Sequence, residues 1–395
     1  MQANKRFNRN FTFDKPSVVI YRNFLLAASE TFIRSQTEML QHFIPYYVGL
    51  RLIPGLGLPK ERTLIVNRGG LLGKIGKVST KLRGFGPAFV QQVKNLHPVL
   101  VHAHFGQDGA IALPLVKNLQ VPLVVTFHGL DATVRNEYAE HSLTQRMYFR
   151  RREQLKHEAN LFIAVSEFIK QKLMQQGFPP ERIIVHYIGV DTERFQPDPA
   201  LQRKPVVLFV GRLVEKKGCE YLIRAMSAVQ PAIPEVELVV IGDGVLRSSL
   251  EQLAKKLLKH YRFLGVQPPE SVRTWMQTAK IFCVPSITAR SGDSEGFGMV
   301  FIEAQATGLP VVSFISGGIS EAVADGETGL LAPEGDWQKL AMYIGRLLTD
   351  RELWQKFSRN GQVRLRNNFN LRHQTRVLES IYNDKVLQSA FMNST

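Results

Sequence analysis

Short apolar runs of strand length alternate with helical patterns along the 395-residue chain, and few architectures accept that order. In the first half the runs fall at Ser17–Tyr21, Val99–His102, Leu123–Thr126, Leu161–Val165 and Ile183–Tyr187. In the second they fall at Val206–Val210, Glu237–Ile241, Ile281–Val284 and Pro310–Ser313. Strands this uniformly apolar are covered on both faces, and the helical stretches between them supply parallel crossovers. The pattern restarts after Phe195–Pro205, a proline-rich polar segment that reads as a linker. The expectation is an α/β chain of two doubly wound domains, over 1–195 and 205–370, facing across a cleft. A terminal helical segment, 371–395, carries Val377, Leu378, Ile381 and Tyr382 as the face to pack back on the first domain. Open α/β sheets bind ligands at the carboxyl ends of their strands, so the cleft is where chemistry is expected.

Charge is spread unevenly. Residues 1–190 hold 25 Lys and Arg against 12 Asp and Glu, whereas 191–395 hold 25 against 22. From Arg62 to Gln107 there are seven basic residues and no acidic one. Such a field attracts phosphate, whether of nucleic acid, anionic lipid or a pyrophosphate-bearing substrate; a solvated basic surface is the plain alternative. No apolar run approaches the roughly 20 residues of a membrane span. The basic segment 1–16 lacks the apolar stretch of a secretory signal. Cys219 and Cys283 lack metal-ligand spacing, which points to a reduced, cytoplasmic home.

The most informative stretch runs from Ser291 to Gly308, SGDSEGFGMVFIEAQATG. A polar loop carrying Gly296, Phe297 and Gly298 turns into a helix. Glycines there let backbone N–H groups approach an anion, and the helix adds its free N–H groups and positive dipole end. That is a diphosphate seat. Glu303 lies seven residues past Gly296, about 10 Å along a helix axis. A nucleotide beside this helix places ribose near Glu303 and sugar near Glu295, and carboxylates accept hydrogen bonds from vicinal hydroxyls. For Glu303 a solvent-facing helix position is the alternative.

Val206–Val210 runs into a turn with Arg212, Lys216 and Lys217 between two glycines. Arg212 as a planar fork and Lys217 as a point charge would neutralise a diphosphate without a metal, with Lys216 competing for the second role. Asp243, in the next strand-to-helix loop, either borders the nucleotide or serves the turn. In the first half, His128 follows a strand into the cleft and can donate a hydrogen bond to the sugar or to charge developing in it. His102 and His104 share one strand face with no third ligand nearby, so His104 reads as cleft-lining and not as a metal ligand.

Glu-(seven residues)-Glu opening on Glu-Gly-Phe-Gly resembles the signature of the retaining GT-B glycosyltransferases of family 4, also called group 1. Pro285-Ser286 before it, and Gly308–Val312, Gly317-Gly318 and Asp325–Leu330 after it, extend the likeness. It is densest from Gly211 to Leu330 and sparse before His102. It implies two Rossmann-like domains. It further implies that Glu295 contacts the donor sugar, Glu303 the ribose hydroxyls, Arg212 and Lys217 the leaving nucleoside diphosphate, and His128 the sugar from across the cleft. Backbone near Val266 would meet the base. Ala28–Gln36 resembles a subset that assembles colanic-acid-type and other exopolysaccharides, which puts Ser29 and Glu30 on the acceptor side with His104. A helix N-cap at Ser29 is the other reading. The paired glycines that many relatives carry in the first loop are missing here.

The function so implied is retaining transfer of a sugar from a UDP- or GDP-sugar to a saccharide or lipid-pyrophosphate-linked acceptor, with no metal and no cofactor. The setting is the cytoplasm or the inner face of the cell membrane, where residues 68–85, mixing cations with apolar side chains, suit an anionic surface. A nucleic-acid-binding protein would share the charge, but no helix-turn-helix, RNA-recognition or zinc-finger signature accompanies it. A phosphorylase or a sugar-nucleotide epimerase would share the architecture.

Overall fold

The computed structural model describes residues 15–27, 29–67, 80, 84–138 and 143–388. Seven strands build a first sheet: β1 (Ser17–Leu25), β2 (Ile44–Leu52), β3 (Thr63–Asn67), β4 (Pro98–His104), β5 (Leu123–Phe127), β6 (Leu161–Ala164) and β7 (Ile183–Val185). Six build a second: β8 (Val206–Val210), β9 (Glu237–Ile241), β10 (Tyr261–Phe263), β11 (Ile281–Cys283), β12 (Val311–Phe314) and β13 (Gly329–Ala332). Their orders are β3-β2-β1-β4-β5-β6-β7 and β10-β9-β8-β11-β12-β13. Every neighbouring pair is parallel.

The apolar runs read from the sequence are all strands here, and the strands not read are β2, β3, β10 and β13. Three of these, β3, β10 and β13, are short edge strands with one neighbour, and of them β10 is only partly buried whereas β13 is buried throughout. The fourth, β2, ends in exposed Arg51 and Leu52. Chain order reverses between β1 and β4 in one sheet and between β8 and β11 in the other. Each reversal opens a crevice at the carboxyl ends of the strands.

The helix Leu371–Ile381 lies on the first domain, with Leu378 and Tyr382 buried in one cluster with Val18, Ile20 and Leu100. The buried carboxylate of Glu379 accepts from the N–H groups of Gln41 and His42 at 2.7 and 2.6 Å. From Tyr382 to Leu387 the winding widens to a π-helix. No helix among the described residues is long and apolar enough to cross a membrane. The segment 68–83, apart from Thr80, lies outside the described residues, and with it most of the stretch expected at a membrane surface.

Candidate active site at the second switch point

The loops leaving β8 and β11 meet in the second crevice. Lys217 Nζ lies 2.5 Å from Glu295 Oε2, and Lys216 Nζ lies 2.9 Å from Asp293 Oδ1. Ser286 Oγ donates to Glu295 Oε2 at 3.4 Å. Burial alone would raise the Glu295 carboxyl, but the charges of Lys217 and Lys216 outweigh it and hold the group below its ordinary value. Glu295 is therefore a fixed, ionised acceptor. Both lysines are tied to the loop, whereas Arg212 is exposed and no described residue pairs with its guanidinium.

The helix Met299–Ala306 starts at Gly298, which has φ 90° and no side-chain cap bond. The Phe301 N–H donates to the Gly298 carbonyl at 3.0 Å, and no side chain caps the N–H groups before it. A Cβ at Gly296 would come within 2.0 Å of the His128 carbonyl oxygen, so the two domains meet here only because this residue is glycine. The helix begins later than the loop glycines suggest, so Glu303 stands about 6 Å along the axis from the first helical residue. Glu303 is half-buried, not solvent-facing, and no described residue hydrogen-bonds its carboxylate. Burial pushes that carboxyl up to about 7, with the Arg194 charge drawing it back.

Three donor-side readings are refined by position. Phe297 does not offer its ring to a nucleotide: it is 2% exposed and packs on Tyr187 and Phe369, ring centroids 5.4 and 5.3 Å away. A phenyl ring gains more from that apolar contact between the domains than from a polar ligand. Asp243 accepts from the N–H of Gly244 at 2.7 Å and pairs with Arg247 at 3.5 Å, the behaviour of a turn residue. Val266 stands on the loop after β10 with 75% of its surface exposed.

At the first crevice, Arg22 on β1 is ion-paired with both Glu30 and Asp108 and lies 4.3 Å over the Phe105 ring. Phe105 has φ 75°, a strained conformation for a bulky residue. Sequence reasoning missed Arg22 and Asp108; a lone charge inside each apolar run was the signal available. Glu30, not Ser29, occupies the N-cap position of the helix Thr31–Glu38, and it makes no side-chain cap bond. Its carboxylate turns to Arg22 and to the Ala27 N–H at 3.2 Å, which leaves Ser29 an exposed turn residue.

His104 does not line the cleft. It is 2% exposed, with its ring between those of His102 and His128 at 4.4 and 5.3 Å, because the inward face of β4 delivers it to the core. His104 Nδ1 and His128 Nε2 share a hydrogen bond of 3.1 Å, and His128 Nδ1 has no partner. Burial, reinforced by the charge of Arg22, holds His128 well below its ordinary value, so the ring is neutral. The loop is pinned by Asp131, which accepts from the N–H groups of Gly106, Gly129 and His128 at 2.8, 3.0 and 3.1 Å. Among the described residues no group of three or more His, Cys, Asp or Glu is placed to hold a metal ion.

The family model described as glycosyl transferases group 1 matches residues 191–364, and that described as glycosyltransferase family 4 matches residues 53–194. The amylovoran biosynthesis glycosyltransferase AmsK of Erwinia amylovora is 35% identical over 70% of this chain and 67% of its own length. The putative colanic acid biosynthesis glycosyltransferase WcaL of Salmonella typhimurium is 30% identical over 71% and 69%. Among solved structures, Anabaena HepE in complex with UDP and glucose superposes with a TM-score of 0.74 at 21% identity, covering 93% of this chain and 99% of its own. Two parallel-sheet domains meeting at paired switch points, together with these matches, place the chain in the group 1, family 4 glycosyltransferases, with their GT-B fold.

Proposed function

We propose that this glycosyltransferase moves a sugar from a nucleoside-diphosphate sugar to a saccharide or lipid-pyrophosphate-linked acceptor, with retention, in assembly of a cell-surface polysaccharide. One observation carries the reading: an exposed, unpaired Arg212 stands on the loop that Lys217 ties to Glu295, three residues before an uncapped helix N-terminus at Gly298, with an unpartnered carboxylate, Glu303, farther along that helix. A diphosphate fits the first two and a ribose diol the third. The names of AmsK and WcaL support exopolysaccharide chemistry, and the UDP and glucose bound to HepE support a UDP-type donor, with a GDP-sugar as the alternative.

In the proposed reaction the bond from C1 to the phosphate oxygen breaks, and its electron pair goes to the leaving diphosphate. Arg212 and the loop N–H groups stabilise that charge in place of a metal. The acceptor oxygen bonds C1 on the same face and passes its proton to a phosphate oxygen. Glu295, locked to Lys217, holds sugar hydroxyls and is not free to act as a nucleophile. The basic first half of the chain would face an anionic membrane surface from the cytoplasm.

Incubation with UDP- and GDP-sugars and a lipid-linked saccharide extract tests this. The expected result is acceptor-dependent release of nucleoside diphosphate, insensitive to EDTA, with the donor's anomeric configuration kept in the product by NMR. Inversion, or activity lost to chelator and restored by a divalent cation, would contradict it.

A further inference from the structure

One helix of the first domain grips the donor loop of the second. The helix Glu167–Gln175 begins at Ser166, whose buried hydroxyl accepts from the Ile169 N–H at 3.1 Å and donates to the Gly296 carbonyl at 2.5 Å. The next two amides, of Glu167 and Phe168, donate across the domain boundary to the two carboxylate oxygens of Glu321 at 2.7 and 2.9 Å. Tyr187 OH, also from the first domain, donates to that carboxylate at 2.9 Å. A carboxylate on free amides at the positive end of a helix makes charge-assisted hydrogen bonds, stronger than neutral ones.

Glu321 is built into the donor loop's support. It lies in the short helical turn Ile319–Ala322, and the Gly318 N–H just before that turn donates to the Glu295 carbonyl at 2.9 Å. A Cβ on Gly317 or Gly318 would approach the carbonyl oxygens of Glu295 and Gly296 to 2.2 Å, so turn and loop are packed backbone on backbone. The Arg364 guanidinium donates to the Glu321 carbonyl at 2.6 Å and fixes the turn from behind. An open cavity lined by Tyr187, Glu321, Arg364 and Phe369 adjoins the carboxylate, which leaves it room to swing away once its partners depart.

We propose that Glu321 and Ser166 are positioning residues: they latch the helix Glu167–Gln175 of the first domain onto the donor loop, so that the loop takes its diphosphate-accepting shape when the domains are closed. What the loop binds rests on the function proposed above; the latch is a contact between domains whatever the cleft holds. Opening the cleft breaks the Ser166 bond to Gly296 and frees three donors from Glu321 together, so closure and loop shape change as one.

Small-angle X-ray scattering of the full-length, nucleotide-free chain, followed by donor kinetics, reads the latch directly. Glu321→Gln puts an NH2 group where an acceptor is needed, and Ser166→Ala removes the donor to Gly296. Both are expected to enlarge the radius of gyration and to raise the donor KM roughly tenfold, the weight of about one hydrogen bond, with kcat at saturating donor little changed. Arg212→Ala is expected to lower kcat/KM about 10²- to 10³-fold at an unchanged radius, so a failed donor site and a failed latch give different results. An unchanged radius and an unchanged donor KM in Glu321→Gln, or a fall in kcat with KM constant, overturns the latch.

Discussion

The two switch-point crevices share a topology and differ in charge. Between β1 and β4, Arg22 is answered by Glu30 and Asp108, and His104 and His128 are held neutral by burial. Between β8 and β11, Arg212, Lys216 and Lys217 meet Asp293 and Glu295, and the adjacent helix start carries no cap. In the first crevice the charges of Arg22, Glu30 and Asp108 answer one another, and His128 Nδ1 is left without a partner. The second keeps a positive charge unanswered, and that is where an anion gains most. Parallel sheets supply the place for a ligand twice over, and the leftover charge decides which place is used.

The largest effect should separate the crevices outright. Arg212→Ala is expected to lower kcat/KM about 10²- to 10³-fold, as removal of a group that stabilises a leaving anion does. Because the side chain is exposed and unpaired, the melting temperature should not move, and kinetics beside a thermal melt check both. Asp108→Asn should show the opposite profile. Loss of a buried partner of Arg22 is expected to cost about 2–3 kcal/mol in urea unfolding, below the 3–5 for an orphaned buried charge because Glu30 remains.

The smallest effect is a pH dependence confined to the second crevice. The Glu303 carboxyl titrates at about 7, above its ordinary value of 4.5. Ribose hydroxyls donate more strongly to it when it is ionised, so the donor KM should fall as pH rises through 7, by at most roughly tenfold per unit, and Glu303→Gln should flatten that slope. The sign for stability is reversed. The proton that the folded chain holds more tightly favours folding below pH 4.5, and that contribution is lost as pH rises through 7. Wild-type melting temperature should therefore drop across that window relative to Glu303→Gln.

Much of the frame was legible because burial on both faces writes itself into the sequence as uninterrupted apolar runs, as in Val206–Val210 and Leu123–Phe127. The edge strand Tyr261–Phe263 leaves no such mark, since one side is uncovered and two half-buried rings around an exposed Arg262 suffice. The turn from loop to helix was legible because Gly296 and Gly298 combine a turn, a close approach and a helix start within three residues. Its electrostatics were not. That Lys217 is spoken for by Glu295 depends on loops 78 residues apart converging. His104 was misplaced for a related reason: strand alternation gives the face, but which face meets the cleft is decided by the helices packed on it. Ser166 and Glu321 did not stand out in the sequence, because the domain interface that joins them has no local pattern.

In the proposed reaction a diphosphate sits where Gly298 opens into a helix, held by Arg212. A crystal structure of the chain with a bound UDP- or GDP-sugar tests it most directly. Phosphate oxygens are expected within hydrogen-bond distance of the Arg212 guanidinium and of the N–H groups around Gly298, with the ribose on Glu303. A diphosphate lodged instead against Arg22 in the first crevice, or an Arg212 side chain turned away from it, would contradict the account.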